Sequence, residues 1–268
     1  MTEGARGAAS GTLWVVGTGI APALQITGEA RSALSSASRV FYLLNDVVGR
    51  RWIQALRPDA VSLADSYAAG KERLQTYEEI VERVLQPVRE GEQVAVAFYG
   101  HPGVFVRPGH ELVRRAVAEG HRAVMLPGVS AEDCLFADLG VDPAQVGCQS
   151  FEANDFLLHE RRFDPRSALV LWQVGVIGNR IFRPDNDYDL GALELLAEAL
   201  LEHYPRGHQA VIYEAQELPV VEPRREKVRI EDLPRSRPTA KSTLYVPPLA
   251  TGEPNEARRR RLEALAQP

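Results

Sequence analysis

Apolar positions in the first half of the chain gather into short runs separated by helical stretches. Thr12-Leu-Trp-Val-Val16 ends in Gly17-Thr-Gly19, and Arg39-Val-Phe-Tyr-Leu-Leu44 is a second run, with a helix predicted from Thr27 to Ala37 between them. Short apolar runs bounded by turn residues and joined through a helix make the strand, helix, strand unit of a parallel sheet. Further strands are predicted at Gln93 to Phe98 and Arg122 to Leu126, with a helix from about Gly109 to Glu119 that Gly120 terminates. Beyond Pro127-Gly128 the rhythm changes. A helix begins near Ala131 and a strand covers Ala168 to Trp172. A helix spans about Leu190 to Glu202, and strands follow near Gln209 to Tyr213, Glu226 to Ile230 and Ser242 to Val246. The expected fold class is therefore α/β in two lobes: a parallel-sheet amino-terminal lobe over 11–127 and a mixed α/β lobe over 128–250. The charged tail 251–268 carries Arg258-Arg-Arg-Arg261 and reads as a short polar helix or a loose end.

Composition narrows the classes without naming a function. The 268 residues are 45% hydrophobic and 25% charged, close to the average for soluble globular proteins. The net charge of −5 disfavours a partner bound chiefly through its phosphates, so no nucleic acid is expected. The two cysteines, Cys134 and Cys148, form no C-x-x-C and have no His pair at ligand spacing, so reduced thiols and no metal site are expected. No apolar stretch is long enough to span a bilayer, and residues 1–7 lack the apolar core of a signal peptide. A cytoplasmic protein with no membrane partner is the expectation.

Three loops at strand ends are candidates for chemistry. Gly17-Thr-Gly-Ile-Ala-Pro22 lacks the third glycine of G-x-G-x-x-G, with no helix expected at once after it, so a dinucleotide fingerprint is weak. Tyr99-Gly-His-Pro-Gly-Val-Phe105 is a tight loop after the strand that ends at Phe98, either a ligand loop or a simple turn. Pro127-Gly-Val-Ser130 precedes a helix, so Ser130 reads as an amino cap that could also offer a hydroxyl to a ligand. Open α/β sheets place ligands at the carboxyl ends of their strands, where all three loops fall.

Tyr67-Ala-Ala-Gly-Lys-Glu-Arg73-Leu-Gln-Thr-Tyr77 precedes a helix whose apolar positions Ile80, Val81, Val84, Leu85 and Val88 recur at helical spacing. Thr76 with Glu79 predicts a capping box, placing Tyr77 at the first helical position with Arg73 just outside. The helix dipole and Arg73 would both then favour a phenolate at Tyr77. Packing of Tyr77 against Ile80 and Val81 is the competing reading.

The three loops, in this order, resemble the tetrapyrrole methylase superfamily of S-adenosylmethionine-dependent methyltransferases over roughly Gly11 to Pro248. Most members read G-x-G-P-G in the first loop and begin the second with G-D-P-G. Here Ile20 and Ala21 replace Pro and Gly, and His101 replaces Asp. The second loop, Leu126-Pro-Gly-Val-Ser-Ala-Glu-Asp-Cys-Leu-Phe136, Leu171-Trp-Gln-Val-Gly175 and Tyr67 with Arg73 and Tyr77 look like the borosin subgroup, whose members methylate backbone amides of a ribosomally made peptide. The resemblance implies S-adenosylmethionine as cofactor, contacted by Tyr99, His101, Val104, Phe105, Ser130, Gln173, Ser242 and Thr243. It implies Tyr67, Arg73 and Tyr77 as the catalytic group, and a homodimer. A further tyrosine that stands three residues before the Tyr67 position in fungal members is Ala64 here. In fused borosins the substrate is a carboxyl-terminal extension. Because the chain ends soon after Leu249, a separate precursor peptide is expected as partner. A tetrapyrrole C-methyltransferase, or a catalytically silent S-adenosylmethionine-binding module, are the alternatives.

Overall fold

Strand alternation sorts the residues of the first sheet between two apolar layers. The computed structural model describes residues 10–44, 46–184, 187–218 and 220–266. The expectation about residues 1–7 and the last two residues of the tail lie outside the described residues. The strands are β1 (Thr12–Gly17), β2 (Arg39–Leu43), β3 (Val61–Ser62), β4 (Gln93–Phe98) and β5 (Arg122–Leu126), all parallel in the order β3-β2-β4-β1-β5. Leu13, Val15, Phe41, Val94, Val96 and Phe98 pack against helices Arg73–Arg89 and Arg107–Ala118 on one face. Val16, Val40, Tyr42, Ala95 and Ala97 pack against helices Gly28–Ser36 and Val47–Leu56 on the other. Right-handed crossovers account for this division. The chain moves outward from β1 to β2 and β3 over one face, then returns through β4 to β5 over the opposite face.

The second lobe combines helices and strands, as its sequence pattern predicts, and its sheet has both parallel and antiparallel neighbours. This sheet comprises β6 (Cys148–Glu152), β7 (Ala168–Trp172), β8 (Gln209–Glu214), β9 (Arg224–Arg229) and β10 (Thr243–Val246), in the order β6-β7-β10-β8-β9. β6 runs parallel to β7, whereas β10 is antiparallel to both β7 and β8. Its apolar core joins Leu169, Leu171, Ile212 and Leu244 to helix Ala192–Leu201 through Leu193, Leu196 and Leu200.

Contacts divide the chain into two units. The first holds residues up to Val141 and takes in Gly178–Tyr188 and Glu214–Arg225; the second holds Asp142–Ile177, Asp189–Tyr213 and residues from Glu226 onward. The expected division after residue 127 differs from this one. Helix Ala131–Leu139 follows β5 directly and groups with the first unit, and two later excursions return to it. The tail forms helix Glu256–Leu265, exposed along its length. No helix among the described residues is long and apolar enough to cross a membrane.

Candidate active site

Glycine lets the three loops at the carboxyl ends of β1, β4 and β5 pack backbone against backbone. Gly19 and Gly100, at φ +75° and +72°, form an antiparallel bridge, with Gly19 N donating to Gly100 O (3.2 Å) and Gly100 N to Gly19 O (3.0 Å). A Cβ on Gly17 would meet Gly100 O at 2.4 Å and Pro102 Cδ at 2.7 Å, and one on Gly128 would meet Gly100 O at 2.8 Å. Non-glycine residues cannot approach this closely. The first loop closes on itself in a way its sequence does not disclose. The single helical turn Pro22–Gln25 follows it at once, and Gln25 Oε1 accepts from both Ile20 N (2.8 Å) and Ala21 N (2.9 Å). Those amides are therefore taken, which removes the phosphate cradle that a dinucleotide site requires.

In the second loop the Tyr99 hydroxyl donates to Glu217 (3.0 Å), and burial together with the Glu217 carboxylate holds the Tyr99 phenol far above its ordinary pKa. His101 turns inward to the loop, its Nδ1 accepting from Gly103 N (2.9 Å), so the imidazole fixes the turn. Val104 N donates to His101 O (3.1 Å), and half-exposed Phe105 sits at φ +56°. In the third loop Ser130 caps its helix through a complete capping box. Its Oγ accepts from Asp133 N (3.2 Å), while the Asp133 carboxylate accepts from Ser130 N and Oγ at 2.7 Å each. The cap reading of Ser130 thus holds, and Asp133 already takes the hydroxyl proton.

Asp46, the amino cap of helix Val47–Leu56, was not anticipated. Its Oδ1 accepts from Gly49 N, while Oδ2 is buried without a hydrogen-bond partner among the described residues, and the carboxylate acts electrostatically on Tyr99.

In the second unit, Gln173 closes β7 in the left-handed conformation (φ +60°, ψ +34°). This costs a non-glycine residue about 1–2 kcal/mol, and its side-chain amide has no hydrogen-bond partner among the described residues. Ser242 and Thr243 are buried at the start of β10. Ser242 O accepts from Val174 N (3.2 Å), so this pair and Gln173 share one end of neighbouring strands.

The tyrosine segment departs from its sequence reading in one respect. The helix starts at Arg73, with Glu72 as its cap, so Arg73 is the first helical residue and Tyr77 lies in the second turn. The Thr76/Glu79 capping box does not form. Glu79 is paired with Lys71, Thr76 N donates to Glu72 O (3.3 Å), and Glu72 is held extended by a bridge to Ile181. The dipole acts within the first turn, so it contributes little at Tyr77.

Tyr67 closes the 3-10 turn Ala64–Ser66, its ring edge-on to Phe182 at 5.0 Å. Tyr77, Arg73 and Tyr188 all act electrostatically on the Tyr67 phenol. Arg73 favours its ionisation, but burial outweighs Arg73 and holds the pKa well above its ordinary value. Tyr67, Arg73 and Tyr77 are therefore near enough to one another to interact electrostatically. Tyr188 and Phe182 join them from a distant segment that carries no recognisable motif.

With this geometry in view, comparison with known proteins identifies the scaffold. The family model described as Tetrapyrrole (Corrin/Porphyrin) Methylases matches residues 12–216. The chain belongs to the tetrapyrrole methylase family. It is 42% identical over 96% of its length to a methyltransferase/ribosomally synthesized cyclic peptide gymnopeptides precursor of Gymnopus fusipes. It is 40% identical over 90% of its length to a methyltransferase/ribosomally synthesized type I borosin cyclic peptide precursor of Coprinopsis marcescibilis. The chain spans 62% and 63% of the lengths of these relatives. Among solved tetrapyrrole methylases, uroporphyrin-III C-methyltransferase from Thermus thermophilus superimposes with a TM-score of 0.61 at 25% identity, covering 89% of this chain and 93% of that one. The same enzyme has been solved with S-adenosyl homocysteine, and that complex matches at TM-score 0.60 and 20% identity, covering 88% of this chain and 92% of that one.

Proposed function

We propose that the protein is an S-adenosylmethionine-dependent methyltransferase acting on backbone amide nitrogens of a ribosomally made peptide, offered to a homodimer as a separate polypeptide. The observation that carries this reading is the gathering of Tyr67, Arg73 and Tyr77 around one half-buried phenol, where a positive charge and two further hydroxyls act on it. The relatives named as methyltransferases joined to ribosomally synthesized cyclic peptide precursors, similar over nine-tenths of the chain, point the same way.

The residues present fit the cofactor. A sulfonium and an ammonium suit the unpartnered Asp46 Oδ2 beside Tyr99, and the unpaired amide of Gln173 suits a hydrogen-bonding ligand. On the family resemblance, the residues proposed to hold it are Tyr99, His101, Val104, Phe105, Ser130, Gln173, Ser242 and Thr243. Bound S-adenosylmethionine supplies an electrophilic methyl group that leaves a neutral thioether behind.

The peptide nitrogen is a poor nucleophile because its lone pair is delocalised into the carbonyl. Reaction requires removal of the N–H proton and stabilisation of the oxygen as the amide becomes imidate-like. Burial keeps Tyr67 protonated, so its O–H is suited to donate to that oxygen, with the Arg73 guanidinium adding positive charge. Tyr77, reacting as the phenolate, remains to accept the amide proton, directly or through water, and becomes the neutral phenol.

The test separates binding from turnover. Tyr67→Phe, Tyr77→Phe and Arg73→Ala are expected to bind S-adenosylmethionine within about threefold of the parent in calorimetry, and to lose at least about 100-fold in peptide methylation. Equal loss of affinity and turnover would reassign these residues to structure, and full turnover by Tyr77→Phe would remove it as the base.

A further inference from the structure

Arg73 is held from a part of the chain far away in sequence. Residues Arg180 to Phe182 lie along the entry to the Arg73–Arg89 helix. Gly70 N donates to Phe182 O (3.4 Å), Phe182 N to Lys71 O (3.1 Å) and Arg73 N to Arg180 O (3.3 Å), and Glu72 bridges Ile181. At the end of this brace Tyr188 is 7% exposed. Its hydroxyl oxygen accepts twice, from Arg73 Nη2 (3.1 Å) and from the backbone N–H of Arg183 (3.2 Å). The Arg73 guanidinium carbon also lies 5.4 Å from the centre of the Tyr188 ring.

A guanidinium on a flexible side chain has many rotamers, and a role at a developing oxyanion requires one of them. The other contacts of the brace run through backbone atoms of residues 70–73 and fix the chain, so that among the described residues the Arg73 side chain is held by Tyr188. Because both bonds to the hydroxyl use oxygen lone pairs, phenylalanine can keep the ring contact and lose both.

We propose that Tyr188 is a positioning residue that holds the Arg73 guanidinium in its working orientation beside Tyr67. This rests on the peptide N-methyltransferase reading for its kinetic consequence, but not for its geometry. Arg73 is the first residue of its helix and half-buried, so an unheld guanidinium would swing toward solvent. Loss of a hydrogen bond to a charged group then becomes a loss of turnover with little change in substrate binding.

The experiment uses the full chain as wild type, Tyr188→Phe, Arg73→Ala and the double variant, each first checked for its melting temperature. Two readouts are taken. In peptide methylation, Tyr188→Phe is expected to lower kcat about 10- to 100-fold, with KM for peptide and cofactor within about twofold. In the Arg73→Ala background the same substitution is expected to change kcat less than about twofold, since a residue that acts through Arg73 has nothing left to position. Without any peptide, modification of Arg73 by phenylglyoxal, mapped by peptide mass spectrometry, is expected to be several-fold faster in Tyr188→Phe than in wild type.

Wild-type kcat in Tyr188→Phe, an equal fold-loss in both backgrounds, or a lowered melting temperature with unchanged Arg73 modification would each overturn the proposal. If wild type methylates no peptide, the functional reading fails and the modification rate alone decides the role of Tyr188: a faster rate supports it, an unchanged rate overturns it.

Discussion

Gln173 shows how a single residue couples backbone strain to a candidate binding role. It is held in the left-handed region at the end of β7, and its side-chain amide has no hydrogen-bond partner among the described residues to offset that strain. Gln173→Gly is therefore expected to leave the melting temperature unchanged or raised, since glycine adopts this conformation without the steric cost. Affinity for S-adenosylmethionine is expected to fall about tenfold, the scale of one hydrogen bond. Unchanged affinity in calorimetry would confine Gln173 to a backbone role. At this scale the sequence shows the identities but not the partners. A polar residue after the apolar run Ala168 to Trp172 marks Gln173, and the serine before Ala131 marks the cap. The commitment of Ser130 to Asp133, of Tyr99 to Glu217 and of the first-loop amides to Gln25 depends on side-chain placement. The misjudged start of the Arg73 helix has the same origin, because Lys71 competes for the Glu79 carboxylate that the capping box would have used.

Between elements, the two helices on one face of the parallel sheet are linked by a network of ion pairs. Arg89 pairs with Glu82 and Glu119 at 2.7 Å each, and Arg115 with Glu78 (2.6 Å), Glu82 (3.0 Å) and Glu111 (2.5 Å). Arg114 and Arg115 hold the Glu111 carboxyl down to about 2, and the neighbouring guanidinium groups lower Glu82 and Glu119 as well. A carboxyl depressed in the folded state contributes stability above its unfolded pKa of about 4.3 and loses it as the pH falls toward the folded value. Melting temperature is therefore expected to drop between about pH 5 and pH 2, and less steeply in Glu111→Gln; identical slopes would contradict the assignment. Exposure keeps each pair modest, and added salt should weaken the effect. Most elements here are legible from periodicity: Gln93–Phe98, Arg122–Leu126 and Ala168–Trp172 fall on the strands the apolar runs predict. Helix Val47–Leu56 and strand Cys148–Glu152 are not, since the first exposes Val47 and Val48 and the second has no fully buried residue.

For the whole molecule, the order of the three glycine loops along the chain is what reveals the family, while β-strand order and the return of Gly178–Tyr188 to the first unit appear only in three dimensions. The site gathers residues that are adjacent in sequence, Tyr67 to Tyr77, with a brace more than a hundred positions away. Local motifs could therefore point to the tyrosines proposed to react, but not to Tyr188, which hydrogen-bonds Arg73. The most direct test is to incubate the purified protein with S-adenosylmethionine and a peptide with an apolar carboxyl end, drawn from the neighbouring reading frame, and to analyse the peptide by tandem mass spectrometry. Gains of one methyl each, localised to backbone nitrogens, are predicted. An unmodified peptide alongside methylated uroporphyrinogen, or cofactor binding with transfer to neither, would contradict the account.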